Sequence, residues 1–421
     1  MSFTSAVRRD LALVAGGRAT SMLGDEVAVI ALALWASHQG RGTLAVAALV
    51  MAGTLPQLLA APFAGLLVDR LSARRLIATV SSLQALVCLA MVPAIGDDDL
   101  AAVLALVVAL GVGQTIANPA WQALVPAIVA PDQVTRALGT VQAATAGAML
   151  LGPAVGGLLV GSVGTASALV VDAVSFAVLV VVALALRGDR QPERPAVRST
   201  GETTAGIRLI GHDPVLRSVL VLVTALVLAA GAVNVAEIFL ITGTLGAGPA
   251  AYGLVGALFA AGVMLGAVLA GKDRDVARAG RTLVGVTISM ALSMVVLGLS
   301  PTLVVAALAS MAVGVGNGML NVLAQSIFVR RSPSDVLGRV FAALQGVIGA
   351  AMLVATGLGG MLLGVLGVRP VIVGSGVLAV VALLAVSRPL LAARGTEPAS
   401  SGTAADAGTQ PALAAEGGDA A

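Results

Sequence analysis

Charged side chains are scarce in this sequence. Only 11% of its 421 residues are Asp, Glu, Lys or Arg, against about a quarter in a soluble domain. Aromatic residues are scarcer still, at 2%. Apolar residues fill the gap at 58%, and a water-soluble globule of this size has no interior large enough to hide them. That balance excludes a soluble enzyme and a disordered chain. There is one cysteine, Cys88, so no intrachain disulfide can form and a stapled secreted module is excluded too. The two histidines, His38 and His212, stand far apart without cysteine companions. No metal pattern results, and no cofactor is expected. The alternating apolar–polar rhythm of an outer-membrane barrel is also missing. Apolar residues come instead in blocks of about 20, the length a helix needs to cross a bilayer.

These blocks fall at 11–36, 44–66, 75–95, 100–122, 138–160 and 166–187, and again at 216–241, 250–271, 281–300, 302–328, 341–363 and 370–387. The expected fold is all-α and integral to the membrane, with twelve transmembrane helices in two six-helix bundles. The bundles are residues 1–187 and 216–387. An Arg- and Pro-rich central loop, 188–215, joins them, with a short surface helix expected over Gly206–Arg217. An Ala/Gly/Ser/Thr-rich tail, 388–421, is expected to be disordered. The first block is read as a retained helix rather than a signal peptide, because Asp25 and Glu26 interrupt it and no small-residue cleavage site follows.

A net charge of +3 and a pI of about 9.9 would suggest a nucleic-acid partner in a soluble protein. Here the arginines sit between the apolar blocks, where membrane topology accounts for them. With the N-terminus inside, 21 of the 24 basic residues fall in cytoplasmic segments. Only Arg41 and Arg369 fall outside, and Arg18 lies within a span. That bias is the positive-inside rule. A miscounted span would erase it. The protein is therefore expected to be multi-pass in the cytoplasmic membrane, with both termini cytoplasmic.

The two halves repeat. A shift of 203 residues carries Asn118 onto Asn321, Gln122 onto Gln325, Arg136 onto Arg339, Gln142 onto Gln345 and Gly164 onto Gly367. Chance matches would fall among Ala, Val, Leu and Gly, so the polar coincidences mark a duplication. A 6+6 parallel repeat is the layout of secondary transporters that rock around a midplane site.

Three stretches carry chemistry. After the second span comes Gly65-Leu66-Leu67-Val68-Asp69-Arg70-Leu71-Ser72-Ala73-Arg74-Arg75. It sets one acid among three bases at a turn, either as plain basic-loop topology or as a charge latch on the inner gate. A degenerate copy, Asp273-Arg274, falls in the second half. The fifth span contains Gly147-Ala148-Met149-Leu150-Leu151-Gly152-Pro153-Ala154-Val155-Gly156-Gly157. Its glycines allow close helix approach and its proline bends the helix. A third stretch runs from Asn118-Pro119-Ala120-Trp121-Gln122 into Pro131-Asp132.

The first stretch resembles the G-x-L-x-D-R-x-x-R-R loop of the major facilitator superfamily. Ala73 replaces the first of its paired arginines. The second is similar to the G-x-x-x-x-G-P-x-x-G-G signature of that superfamily's drug/proton antiporters, with Gly147, Gly152, Pro153, Gly156 and Gly157 in place. The third resembles the enterobactin-exporter and macrolide-efflux branch. The resemblance implies an inner gate at Gly65, Asp69, Arg70, Arg74, Asp273 and Arg274. It also implies export rather than import. A fourth-helix arginine that many drug antiporters use for proton transfer is absent from 100–122.

Ionisable groups inside spans cost about 2.5–3.5 kcal/mol each at a helix centre and usually face a cavity or a partner. The first span holds Arg18, Asp25 and Glu26. Arg18 and Asp25 share a face with Ser21 or Met22, and Glu26 points about 100° away. Asp172 lies in the sixth span, and Asn234 and Glu237 share a face of the seventh. One reading makes these a structural ion pair of Arg18 with an acid plus interhelix hydrogen bonds. The other makes Asp25, Asp172 or Glu237 exchange protons and attract cationic substrate.

Gly266–Asp273 imitates a phosphate loop, but it ends in Asp rather than Ser or Thr and follows a membrane helix. ATP is not an expected partner. The expected partners are a small-molecule substrate, protons and the lipid bilayer, and a single chain is expected to suffice. The expected function is export of small amphipathic or lipophilic molecules, of drug, secondary-metabolite or siderophore type, by alternating access and proton antiport. Two alternatives stay open: an organic-anion importer of the same fold anchored by Arg18, and a membrane receptor or assembly component without transport.

Overall fold

The computed structural model describes residues 5–38, 42–130, 133–187, 203–270, 276–332 and 337–392. These form α1 (Ser5–His38), α2 (Gly42–Arg70), α3 (Ala73–Gly96), α4 (Leu100–Ile128), α5 (Val134–Val163), α6 (Thr165–Ala185), α7 (Thr203–His212), α8 (Pro214–Ile238), α9 (Pro249–Ala270), α10 (Val276–Leu299), α11 (Leu303–Arg331), α12 (Leu337–Leu366) and α13 (Val368–Ala392). Among the described residues, eleven helices are long and apolar enough to cross a membrane. α2, with 29 residues, is about 43 Å long at 1.5 Å per residue and completes the twelve. The short surface helix expected over Gly206–Arg217 is α7, and it ends at His212. Asp213 then starts a new helix by accepting the amides of Val215 and Leu216 at 2.8 and 3.1 Å. Its other oxygen pairs with Arg331 Nε at 2.9 Å. α8 closes in a π-helical turn, Phe239–Thr244. α13 continues to Ala392, past the expected edge at 387, and the residues from 393 lie outside the described ones.

The duplication is visible in the packing. In the first bundle α1 packs on α5 and α6, α2 on α4, and α3 on α4 and α6. In the second, α8 packs on α12 and α13, α9 on α11, and α10 on α11 and α13. Helix starts repeat as well. Asp99 caps α4 by accepting Ala102 N, and Thr302, 203 residues on, caps α11 by accepting Val305 N. The turns into α6 and α13 pass through Gly164 and Gly367, both at positive φ (94° and 84°), where a side chain would be strained. The register differs on the inner face. Gly152 and Gly156 of α5 lie over Glu26 and Val27 of α1. Their counterparts on α12, Ala355 and Gly359, lie over Gly231 and Ala232 of α8. α1 and α8 therefore correspond at a shift of 205.

Two seams join the bundles, α5 on α9 and α2 on α12. Both lie at the end of the bundle opposite the start of α1, called the distal end below. A Cβ at Gly157 would sit 2.6 Å from Pro249 O and 2.9 Å from Gly253 Cα, so these two backbones touch. In the other seam Thr43 Oγ1 donates to Gly360 O at 2.7 Å, and Met51 Sδ lies against Gly357.

Candidate functional site

A cavity of about 410 Å3 lies inside the first bundle between α1, α2, α4 and α6. That is within the range of small-molecule sites. Its wall is mostly aliphatic, with Arg18, Asp25, Asp172, Gln114, Asn118 and Thr54 as the polar exceptions. Helical spacing puts Arg18, Met22 and Asp25 on this wall together.

Each charge has a neutral partner. Gln114 Nε2 donates to Asp25 Oδ2 at 2.7 Å. Arg18 donates to Asn118 Oδ1 at 3.2 Å, and its guanidinium carbon stands 6.0 Å from the centroid of the Trp121 ring, at the edge of cation–π range. Asp172, 1% exposed, accepts from Ser175 Oγ at 3.1 Å and from Cys88 Sγ at 3.3 Å. The ion pair that one of the two readings gave Arg18 is not recorded among the described residues. Gln114 bonds the acid and Asn118 bonds the base instead. The single cysteine serves as a hydrogen-bond donor.

The other acids go elsewhere. Glu26, one residue from Asp25, turns to α5, where Gly152 leaves room for its side chain. Glu237 at the end of α8 accepts a hydrogen bond from Ser310 Oγ of α11. Tyr252 of α9 is half-buried. Asn234 is exposed. Glu26, Asn234 and Glu237 are not on the cavity wall. The glycine-rich face of α5 divides its work. Gly152 and Gly156 meet α1, Pro153 and Gly157 meet α9, and a Cβ at Gly147 would meet nothing within 4 Å.

At the terminal end, where α1 begins and α13 ends, Arg74 donates to Ala183 O and Leu184 O at 3.0 and 2.9 Å. It thereby caps carbonyls that α6 leaves unpaired. The side chains of Gly65, Asp69 and Arg70, in the last turns of α2, and all of Asp273 and Arg274 lie outside the described residues. The sequence reading missed Gln114, Cys88, Ser175 and Ser310 as partners of the acids. A signal existed only for Gln114, an amide at the middle of α4 one turn from Asn118.

A second cavity, about 170 Å3, lies in the second bundle between α8, α10, α11 and α12. Among the described residues, amides line it and charges do not.

Residues 17–414 match the transmembrane secretion effector family. The chain belongs to that family. It is a transporter of the major facilitator type, a class that is not enzymatic. Over 232 residues it is 29% identical to the multidrug efflux pump Tap of Mycolicibacterium fortuitum, covering 51% of this chain and 55% of that pump. The chain thus spans about half the length of that relative. Two solved folds are similar. One is a bacterial homologue of the human lysosomal transporter Spinster, inward-facing and unoccupied, with TM-score 0.71 and 14% identity over 94% of this chain and 100% of that one. The other is a POT family transporter with 5-aminolevulinic acid, with TM-score 0.71 and 13% identity over 91% and 96%. At such identities they speak for the fold.

Proposed function

We propose that this transporter exports small amphipathic or lipophilic molecules, cationic ones foremost, across the cytoplasmic membrane by alternating access, in exchange for protons. The observation that carries the reading is the first-bundle cavity. Two carboxylates and one guanidinium stand on an otherwise aliphatic wall, each held by neutral groups. An apolar wall accepts a lipophilic body, and two acids against one base favour a positive head. Asp25 and Asp172 are close enough to feel each other's charge, so a bound cation and a bound proton compete for the same pair. Tap's description as a multidrug efflux pump supports the direction.

In the cycle, the bundles close at the distal seams while the cavity is served from the terminal end. The arginine distribution supports a cytoplasmic position for that end and for both termini. Cargo from cytosol or inner leaflet displaces a proton from the acid pair, the bundles rock, and the seams part. Proton uptake from outside then releases the cargo. One chain supplies both bundles, so a monomer suffices.

The test uses inverted vesicles holding the full chain, an acid-inside gradient, and tetraphenylphosphonium as probe. Accumulation that an uncoupler collapses, and that Asp25→Asn and Asp172→Asn each abolish while still inserting, is the expected result. Wild-type accumulation in both variants overturns the assignment. The organic-anion alternative draws on Arg18 lining the same cavity. It requires anion uptake into right-side-out vesicles that Arg18→Gln removes.

A further inference from the structure

The amide pair that the first bundle spends on its charges is left unspent in the second. Gln114 is the central residue of α4 and Asn118 lies one turn on. Asn317 and Asn321 occupy the same places on α11. In the first bundle these amides bond to Asp25 and Arg18. At the register set by the Glu26–Gly152 and Gly231–Ala355 contacts, the counterparts of Arg18, Met22 and Asp25 are Val223, Val227 and Ala230. All three line the second cavity. The charged partners are gone and the amides remain. Asn321 Nδ2 donates to Asn317 O and Oδ1 at 2.9 and 3.1 Å. Among the described residues, Asn317 Nδ2 and Asn321 Oδ1 have no recorded hydrogen-bond partner. Gln325 and Gln345, on the same wall, have none either and are exposed. Free amides halfway along a membrane helix are costly toward lipid and tolerable only toward water or a ligand.

Resting on the proposed function, we infer that this cavity is a second cargo subsite. It takes an uncharged hydrogen-bonding group, such as an amide, hydroxyl or carbonyl. The wall offers both donors and acceptors and no formal charge, so it suits a neutral polar group and gives an ion no counter-charge. At about 170 Å3 it is smaller than a drug-sized pocket, which begins near 300 Å3, so it takes part of a cargo molecule. A cargo that uses both bundles is an amphipathic cation with a polar, uncharged arm. Its charged head sits at Asp25 and Asp172 and its arm at Asn317 and Asn321.

The experiment compares two cations in vesicles holding the full chain. Tetraphenylphosphonium has no hydrogen-bonding group, and puromycin carries amide and hydroxyl groups. The Asn317→Leu/Asn321→Leu double variant is expected to lower the ratio of puromycin to tetraphenylphosphonium transport about tenfold, the worth of two neutral hydrogen bonds. Asn317→Gln, which installs the amide found at position 114, keeps most of the wild-type ratio. If the double variant fails to insert, Asn321→Ala makes the same comparison and should lower the ratio about threefold. An unchanged ratio overturns the subsite. So does a wild-type protein that moves tetraphenylphosphonium but not puromycin, and in both cases the export reading stands. Movement of neither probe removes the export reading and the subsite with it.

Discussion

The two bundles share one frame and differ in what they put on its inner face. Where α1 carries Arg18, Met22 and Asp25, α8 carries Val223, Val227 and Ala230, and both sets line a cavity opposite the same mid-helix amide pair. Duplicated backbones keep helix packing, because caps, turns and close contacts at Asp99 and Thr302 or Gly164 and Gly367 must recur for the bundle to close. Cavity walls bear no such constraint. Among the described lining residues, charge stands on one side only, which agrees with the proposed division of labour between the halves.

The comparison breaks most completely at Asp25. Asp25→Asn leaves the first cavity as uncharged at that position as its partner, and gradient-driven accumulation should fall to background in inverted vesicles. Next comes the reverse transplant. Ala230→Asp puts an acid where the second bundle has none, at a cost of about 2.5–3.5 kcal/mol. Thermal unfolding in detergent should show it. Adding Val223→Arg, seven residues away as Arg18 is from Asp25, should recover about half of that loss; no recovery would mean that the two inner faces are not interchangeable. The seams give the third effect. Gly157→Val drives a side chain into Pro249 O and Gly253 Cα, backbone atoms with no rotamer to change, for about 1–3 kcal/mol against the sealed state. Spin labels at Ser162→Cys and Gly248→Cys, on a chain whose Cys88 is replaced by serine, should then move apart. The matching change in the other seam, Thr43→Ala, removes one hydrogen bond worth about 0.5–1.5 kcal/mol, so the same labels should shift less. The smallest effect is expected from Cys88→Ala. It removes one of two donors to Asp172 and lowers stability by about 1 kcal/mol, and Cys88→Ser should restore it.

Much of this was legible beforehand. Twelve spans, the 6+6 division and the 203-residue repeat follow from where apolar blocks, arginines and a few amides fall. Helical spacing separated Asp25 from Glu26 and joined Arg18 and Asp25 with Ser21 or Met22. What could not be read was the far side of each contact. Cys88 and Asp172 are 84 residues apart, Gln114 and Asp25 are 89, and Ser310 and Glu237 are 73. Nothing in local sequence sets such pairs. The partners of Arg18 were hidden for the same reason: Arg18 and Asp25 face one cavity, and α4 delivers an amide to each. The shift from 203 to 205 between α1 and α8 also hid the equivalence of Asp25 with Ala230.

The chain by itself settled that it lives in a bilayer, how many times it crosses and which residues share a helix face. Transfer free energy adds residue by residue, and helical geometry is local. Only the assembled helices decided that the acids divide between a cavity and two half-buried contacts, that amides bond the charges in one half, and that their counterparts lie open in the other. Those outcomes depend on which helix packs beside which, a property of the whole bundle that no single segment carries.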